Sequence, residues 1–377
     1  MARSKLARVK ILVAKVGTGT LTDGGGRFDW RNCDRLAGEL AEVARARRVV
    51  LVSSGAITMG AQELGLTRAK PWDIATKQAC AAVGQPRLVD AWGHALSRHA
   101  VRVAQVLLTA EDLASRKRFL NARRTFARLH ELSVLPVVNE NDTVAVDEIK
   151  VGDNDSLAAL VASCIEAALV VMLTDVEGMY DRHPDEAGAQ LIVEVPHVTA
   201  EIERMALGAG SVRSVGGMAT KVRAARRLAA QGVGTALISG RRPRALAALL
   251  AGERVGTFFP PEPERLKGRK GWLAVAARSK GIVLVDAGAK RALTEQGRSL
   301  LPSGVRSVSG QFGVGDPVDI AIDGKRPFAR GLAGYGADEM RRIAGLKTTE
   351  IERVLGYKYL DEVVHRNDMV LLEVGPG

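Results

Sequence analysis

The sequence predicts an α/β protein, a mainly parallel sheet sandwiched by helices, followed by a small C-terminal β-barrel domain. Three observations predict it. Over the first 260 residues, short apolar runs alternate with helix-like segments, the mark of parallel strands covered on both faces. Near residue 260 a proline-rich, charged stretch interrupts this alternation. After it, short β-like runs punctuated by glycine dominate. A length of 377 residues suits about two or three domains and buries a core without disulfides or metals.

The elements follow in order. VKILVAKVG (9–17) is an apolar run closed by glycine, and residues 29–47 carry Leu36, Leu40, Val43 and Ala44 at helical spacing. RVVLVSSG (48–55) is a second strand ending in Ser-Ser-Gly. Residues 73–98 and 117–132 are Ala/Leu-rich helical stretches, with the strand VRVAQVLL (101–108) between them. VLPVV (134–138), ALVVMLTD (168–175) and TALIS (235–239) are further strands. FFPPEPERLKGRKG (258–271) has three prolines and reads as a boundary. GIVLVD (281–286), VRSVSG (305–310), DPVDIAI (316–322) and DMVLLEV (368–374) supply the second domain's strands, with an amphipathic stretch at 338–355. The predicted division is 1–259, a linker at 260–277, and 278–377.

Composition excludes several classes. Hydrophobic residues at 46% and charged residues at 25% are ordinary for a globular chain, so coiled coil, collagen and extensive disorder are out. No run of about 18 apolar residues exists, so no membrane span is expected. The apolar run near the N-terminus is too short for a secretory core and Lys15 interrupts it, which makes the cytoplasm the expected location. Cys33, Cys80 and Cys164 lie far apart with no CxxC spacing, and three small buried side chains are expected. Residues 241–274 hold +5 of the net +12, through Arg241, Arg242, Arg244, Arg265, Lys267, Arg269 and Lys270 among others. Such a stretch suits either a solvated linker or a nucleic-acid contact, and composition favours the linker.

Five polar clusters stand at strand ends or helix starts. Lys15-Val16-Gly17-Thr18-Gly19-Thr20 ends the first strand, with a cation that reaches a phosphate and glycines that expose backbone N–H groups. Its spacing is not that of a P-loop. Ser53-Ser54-Gly55-Ala56 leads into a helix, as an anion site or an ordinary cap. Asn139-Glu140-Asn141-Asp142 and Lys150-Val151-Gly152-Asp153-Asn154-Asp155 are dense in amides and carboxylates. They fit a solvated turn or recognition of a polar substrate, and no histidine accompanies them to form a Ser-His-Asp triad. Ser214 to Lys221 places a lysine in a first helical turn behind Gly216 and Gly217, which with Thr174-Asp175 suits a nucleotide phosphate or a plain cap.

Taken together, Lys15-x-Gly17-Thr18, Ser54-Gly55, Asn139-Glu140-Asn141-Asp142, Gly152-Asp153-Asn154-Asp155, Leu173-Thr174-Asp175 and Gly216-Gly217-Met218-x-x-Lys221 resemble the amino-acid kinase family. RFLNAR (118–123), VVNENDTVAVDEIKVGDND (137–155) and SLLPSGVRSV (299–308) strengthen the resemblance, which runs in order along nearly the whole chain. The C-terminal part is similar to a PUA domain, an RNA-binding fold.

The resemblance implies transfer of the γ-phosphoryl group of ATP to the side-chain carboxylate of L-glutamate, the opening step of proline biosynthesis. It implies that Lys15 and Lys221 neutralise charge in the transition state and that Asp155 holds both. Ser54, Asp142 and Asn154 match positions that contact glutamate. Lys15, Thr174 and Asp175, with Val215, Gly216, Gly217, Met218, Ala219, Thr220 and Lys221, match ATP positions. Mg²⁺ bridging the phosphates, feedback inhibition by proline, RNA as a partner of the PUA-like part, and a homo-oligomer are further implications.

Two departures from the family's pattern stand out: Ser214-Val215 stand where Gly-Thr is usual, and Gly19 where serine is common. The alternatives are another activity of the same family, with acetylglutamate, aspartate or a nucleoside monophosphate as acceptor, and a non-catalytic RNA-binding protein on this scaffold. The NENDxxAxxEIKxGDND string argues against the first. Both lysines, and a net charge of only +2 over 275–377, argue against the second.

Overall fold

The computed structural model describes residues 3–66, 72–145, 154–208, 217–262, 273 and 277–372. The chain divides into two compact units, with the main boundary between Leu266 and Lys267.

The first unit is built on seven strands: β1 (Ile11–Val16), β2 (Arg48–Ser53), β3 (Arg102–Leu108), β4 (Val134–Glu140), β5 (Leu169–Thr174), β6 (Gly234–Ser239) and β7 (Thr257–Phe259). Their order across the sheet is β3-β4-β2-β1-β5-β6-β7. Strands β1 to β6 run parallel, and β7 pairs antiparallel with β6. The helices are α1 (Trp30–Ala44), α2 (Ala56–Glu63), α3 (Ile74–Ser97), α4 (Ala110–Ala114), α5 (Arg116–Glu131), α6 (Asn154–Cys164), α7 (Ala200–Gly208), α8 (Met218–Ala230) and α9 (Ala245–Ala251).

Strand alternation sorts the side chains between two layers. Leu12, Ala14 and Val16 of β1 pack with Leu36 and Leu40 of α1, Leu88 and Trp92 of α3, and Leu246 and Leu249 of α9. Lys15 therefore projects from the opposite face. On that face α6 lies against β1, β2, β4 and β5, and α8 lies against α6 and β6. Every residue of β5 and β6 is buried, as a sheet covered on both sides requires.

The strands predicted in this unit are present with ends shifted by a residue or two. The proline-rich boundary read at 258–271 is corrected at its start: Phe258 and Phe259 belong to β7 and are almost fully buried. Three residues are too few for a period-2 pattern to register, and Pro260 follows at once. Most of 260–277 lies outside the described residues.

The second unit carries one mixed sheet of β8 (Gly281–Val285), β9 (Val305–Gly310), β10 (Pro317–Ala321), β11 (Ala329–Leu332) and β12 (Met369–Leu371), in the order β12-β11-β10-β8-β9. Its core gathers Val283, Ile320, Phe328, Tyr335, Met340 and Ile351. The amphipathic stretch forms two helical segments, Ala337–Ile343 and Ile351–Leu355. No helix among the described residues is long and apolar enough to cross a membrane. All three cysteines are buried and free.

Candidate active site

The site residues gather at the carboxyl ends of the central parallel strands, the edge where open α/β sheets hold ligands. Gly17 donates to the Leu173 carbonyl (3.2 Å), Ser54 to that of Val16 (3.0 Å) and Gly240 to that of Thr174 (2.7 Å). These bonds lock the loops after β1, β2 and β6 to neighbouring strands. Gly55, at φ +114°, makes the turn into α2 in a backbone region that favours glycine.

Asp155 is the hub. It sits in the first turn of α6 and has no exposed surface. Lys15 Nζ lies 2.6 Å from its Oδ1, and Lys221 Nζ lies 3.1 Å from its Oδ2. Thr220 Oγ1 also donates to Oδ2, at 3.1 Å. Burial alone would raise this carboxyl, but the two lysines outweigh it and hold it at about 2, below its ordinary 3.8. Strand β1, helix α6 and the first turn of α8 thus meet on a single carboxylate.

A second, uncharged cluster lies one residue away. Asn154 Nδ2 donates to Ser54 Oγ (2.8 Å) and to Asn139 Oδ1 (3.0 Å). Its Oδ1 is buried with no hydrogen-bond partner among the described residues. Asp142 stands on the turn after β4. Burial raises its carboxyl above the ordinary value, against hydrogen bonds from its own backbone and from the Gln85 side chain.

Thr174 and Asp175 follow β5. Thr174 Oγ1 accepts from the Val176 N–H at 3.0 Å. A Cβ at Gly19 would lie 2.8 Å from Asp175 Oδ2, so a serine there would have to displace that carboxylate. Gly217 caps α8, and Met218, Ala219, Thr220 and Lys221 form its first turn. Val215 and Gly216, and the cluster from Lys150 to Asp153, lie outside the described residues.

The structure therefore brings Lys15, Asp155 and Lys221 into one contact group, and Ser54 and Asn154 into another. Asn139, in the Asn139-Glu140-Asn141-Asp142 cluster but not among the expected ligands, joins the second group. The basic stretch at 241–244 is exposed but belongs to the first unit, where two of its arginines make specific hydrogen bonds. Arg241 Nη2 donates to the carbonyls of Gly19 (2.8 Å) and Thr22 (2.6 Å), pinning the loop after β1. The Arg244 N–H donates to Glu39 (2.9 Å). Arg265, Lys267, Arg269 and Lys270 lie outside the described residues.

The fold and site together define an α/β protein whose mainly parallel sheet brings two lysines onto one buried carboxylate at its carboxyl edge. The model of the amino acid kinase family matches residues 10–239, and the PUA domain model matches residues 281–355. A glutamate 5-kinase from Anaeromyxobacter dehalogenans (strain 2CP-C) is 74% identical over 100% of both chains. Another, from Myxococcus xanthus (strain DK1622), is 50% identical over 98% of both chains. Among solved structures, a carbamate kinase from Giardia lamblia bound to AMP-PNP has 19% identity and a TM-score of 0.49, over 68% of this chain and 100% of that one. The chain belongs to the amino acid kinase family, and its full-length relatives are glutamate 5-kinases.

Proposed function

We propose that this protein transfers the γ-phosphoryl group of ATP to the side-chain carboxylate of L-glutamate, forming L-glutamyl 5-phosphate for proline biosynthesis. The observation that carries the reading is the buried Lys15–Asp155–Lys221 group at the carboxyl edge of the sheet. Full-length identity to glutamate 5-kinases supports glutamate as the acceptor over other acceptors of the family.

The chemistry follows from charge. Donor and acceptor are both anions, and two unit charges 4 Å apart repel by roughly 1 kcal/mol in water and about 4 kcal/mol at an effective dielectric near 20. A carboxylate is already a nucleophile and needs no general base. One of its oxygens forms the new bond to the γ-phosphorus as the bond to the β,γ-bridging oxygen breaks, and ADP leaves with that electron pair. The demands on the protein are alignment and charge neutralisation. Lys15 and Lys221 supply the neutralising charge from opposite sides. Asp155 fixes the spacing of the two ammonium groups. Ser54, Asn154 and Asp142 take the acceptor: the unpartnered Asn154 Oδ1 and the Asp142 carboxylate suit an α-ammonium group. Thr174, Asp175 and residues 215–221 take the nucleotide.

Asp155 is engaged by both lysines, which in this reading leaves Mg²⁺ to be carried by the nucleotide's phosphates. The family-model matches at 10–239 and 281–355 support a division into domains near 1–259 and 278–377 and RNA as partner of the second; a cytoplasmic homo-oligomer with feedback inhibition by proline completes this reading. Light scattering, turnover against added proline and RNA binding by the full chain test these expectations.

The deciding assay couples ADP release to an indicator with ATP, Mg²⁺ and L-glutamate, beside acetylglutamate, aspartate and UMP as acceptors. Turnover confined to L-glutamate is expected. Equal or greater turnover with another acceptor overturns the assignment.

A further inference from the structure

Helix α3 contributes no predicted ligand, yet three of its side chains reach the acceptor half of the site. Gln78, Gln85 and Trp92 are spaced seven residues apart. Seven residues are about two helical turns, so the three share one face. Each sends a side-chain N–H to a different acceptor-site segment. Trp92 Nε1 donates to Ser53 Oγ at 2.9 Å, and Ser53 Oγ donates to the Ser54 carbonyl at 3.1 Å. Gln85 Nε2 donates to the Glu140 carbonyl at 3.1 Å, and Gln78 Nε2 to the Ala145 carbonyl at 3.2 Å. The two glutamines thus bracket the turn that carries Asp142.

The helix that carries this row is itself fixed. A Cβ at Gly84 would lie 1.8 Å from the Ala56 carbonyl oxygen, and one at Gly60 would lie 1.7 Å from that of Cys80. Only hydrogen at both positions lets α3 and α2 cross backbone to backbone, beside the turn that follows Ser54. Trp92 has no exposed surface and Gln85 has little, so both bonds are shielded from competing water.

We infer that Trp92 and Gln85 are positioning residues that set the acceptor half of the site, Trp92 through Ser53 and Gln85 through the turn carrying Asp142, while leaving the nucleotide half untouched. This rests on the reading that Ser54, Asn154 and Asp142 hold the acceptor. Their loss then acts on acceptor affinity, because the bonds orient acceptor ligands and touch neither lysine.

The test is steady-state kinetics of the full chain with each substrate varied in turn. Trp92→Phe keeps an aromatic ring, though a smaller one than the indole, and removes the donor. Ser53→Ala removes the same bond from its other end. Gln85→Met keeps length and removes the amide. Each variant is expected to raise KM for L-glutamate about fivefold, the size of one neutral hydrogen bond, with kcat and KM for ATP within about twofold. Trp92→Phe combined with Ser53→Ala should cost no more than Ser53→Ala alone, since Ser53→Ala already deletes the Trp92 bond along with the one to the Ser54 carbonyl. Unchanged glutamate KM in Ser53→Ala and Gln85→Met, or a matched rise in both KM values, overturns the inference and leaves α3 as scaffold. If Trp92→Phe fails to fold, those two variants decide alone. Wild-type turnover on L-glutamate tests the underlying reading separately. If another acceptor proves to be the substrate, the same ratios are measured on it.

Discussion

Asp155 and Asn154 are neighbours in the first turn of α6, and their surroundings share almost nothing. Asp155 is fully buried and meets two lysines from two other elements. Asn154 is half-buried and meets a hydroxyl and a carboxamide. A helix turns about 100° per residue, so adjacent positions address different volumes. One turn therefore serves two chemistries: a charged knot on one side and a neutral hydrogen-bonding cluster on the other. Two ammonium groups against one carboxylate leave an excess of positive charge, which suits a polyphosphate. Neutral donors and acceptors suit a small zwitterion, for which a strong net field would favour one end over the other. The contrast separates rate from recognition.

The sharpest way to break that separation is to delete the charges. Lys15→Ala and Lys221→Ala should each lower kcat by at least about a hundredfold, as the loss of one electrostatic stabiliser does. Single-turnover measurement on folded variants checks this. Near wild-type kcat in either removes that lysine from the chemistry.

The acceptor side should respond in the other parameter and by less. Asn154→Ala and Asp142→Ala are each expected to raise KM for L-glutamate about tenfold, with KM for ATP little changed. A rise confined to the ATP KM would move the residue to the other half of the site.

The two carboxylates also differ in the sign of their pH dependence. The Asp155 carboxyl is lowered to about 2 from an ordinary 3.8, so its contribution to stability is fully present above about pH 4 and disappears as pH falls toward 2. The stability gap between wild type and Asp155→Asn should shrink by about 2 kcal/mol between pH 5 and pH 2, read by denaturant unfolding. Asp142, raised by burial, acts oppositely: its contribution weakens as pH rises through its unfolded value. A gap for Asp155→Asn that stays constant with pH would show that the lysines do not hold the carboxyl down.

The charged knot was more legible in the sequence than what surrounds it. Lys15 closes a clean apolar strand, and Lys221 opens an amphipathic helix behind glycines, so periodicity placed both at the sheet's ligand edge. That both fall on Asp155 needed three elements remote in sequence, and only the ordered family motifs pointed there. Strands β1, β2 and β5 were readable because burial on both faces makes them continuous apolar runs. Strand β7 was not, since its three residues merge with the prolines that follow. Arg241 looked like part of a basic linker, because a side chain that caps distant carbonyls has the same composition as a solvated one. The row Gln78, Gln85 and Trp92 has no sequence signal beyond its seven-residue spacing, because two amides and an indole on one helix face match ordinary surface and core until their acceptors are known.

The smallest effect concerns the C-terminal unit. All residues cast in the chemistry lie between Lys15 and Lys221, and all belong to the first unit. The second unit has its own core, with Val283, Phe328, Tyr335 and Met340 enclosed among its own strands and helices. A unit with a separate core is expected to be removable without collapse of its neighbour. A chain ending at Arg265 should therefore remain folded and phosphorylate L-glutamate with kcat within about twofold of the full protein. Circular dichroism and gel filtration check folding, and the ADP-release assay checks turnover. The physical risk is apolar surface uncovered by the cut, which would appear as aggregation. A well-folded truncation that retains the Lys15–Asp155–Lys221 residues yet has no turnover would break the division of labour outright. Chemistry would then require the C-terminal unit, and rate and recognition could not both reside in the first.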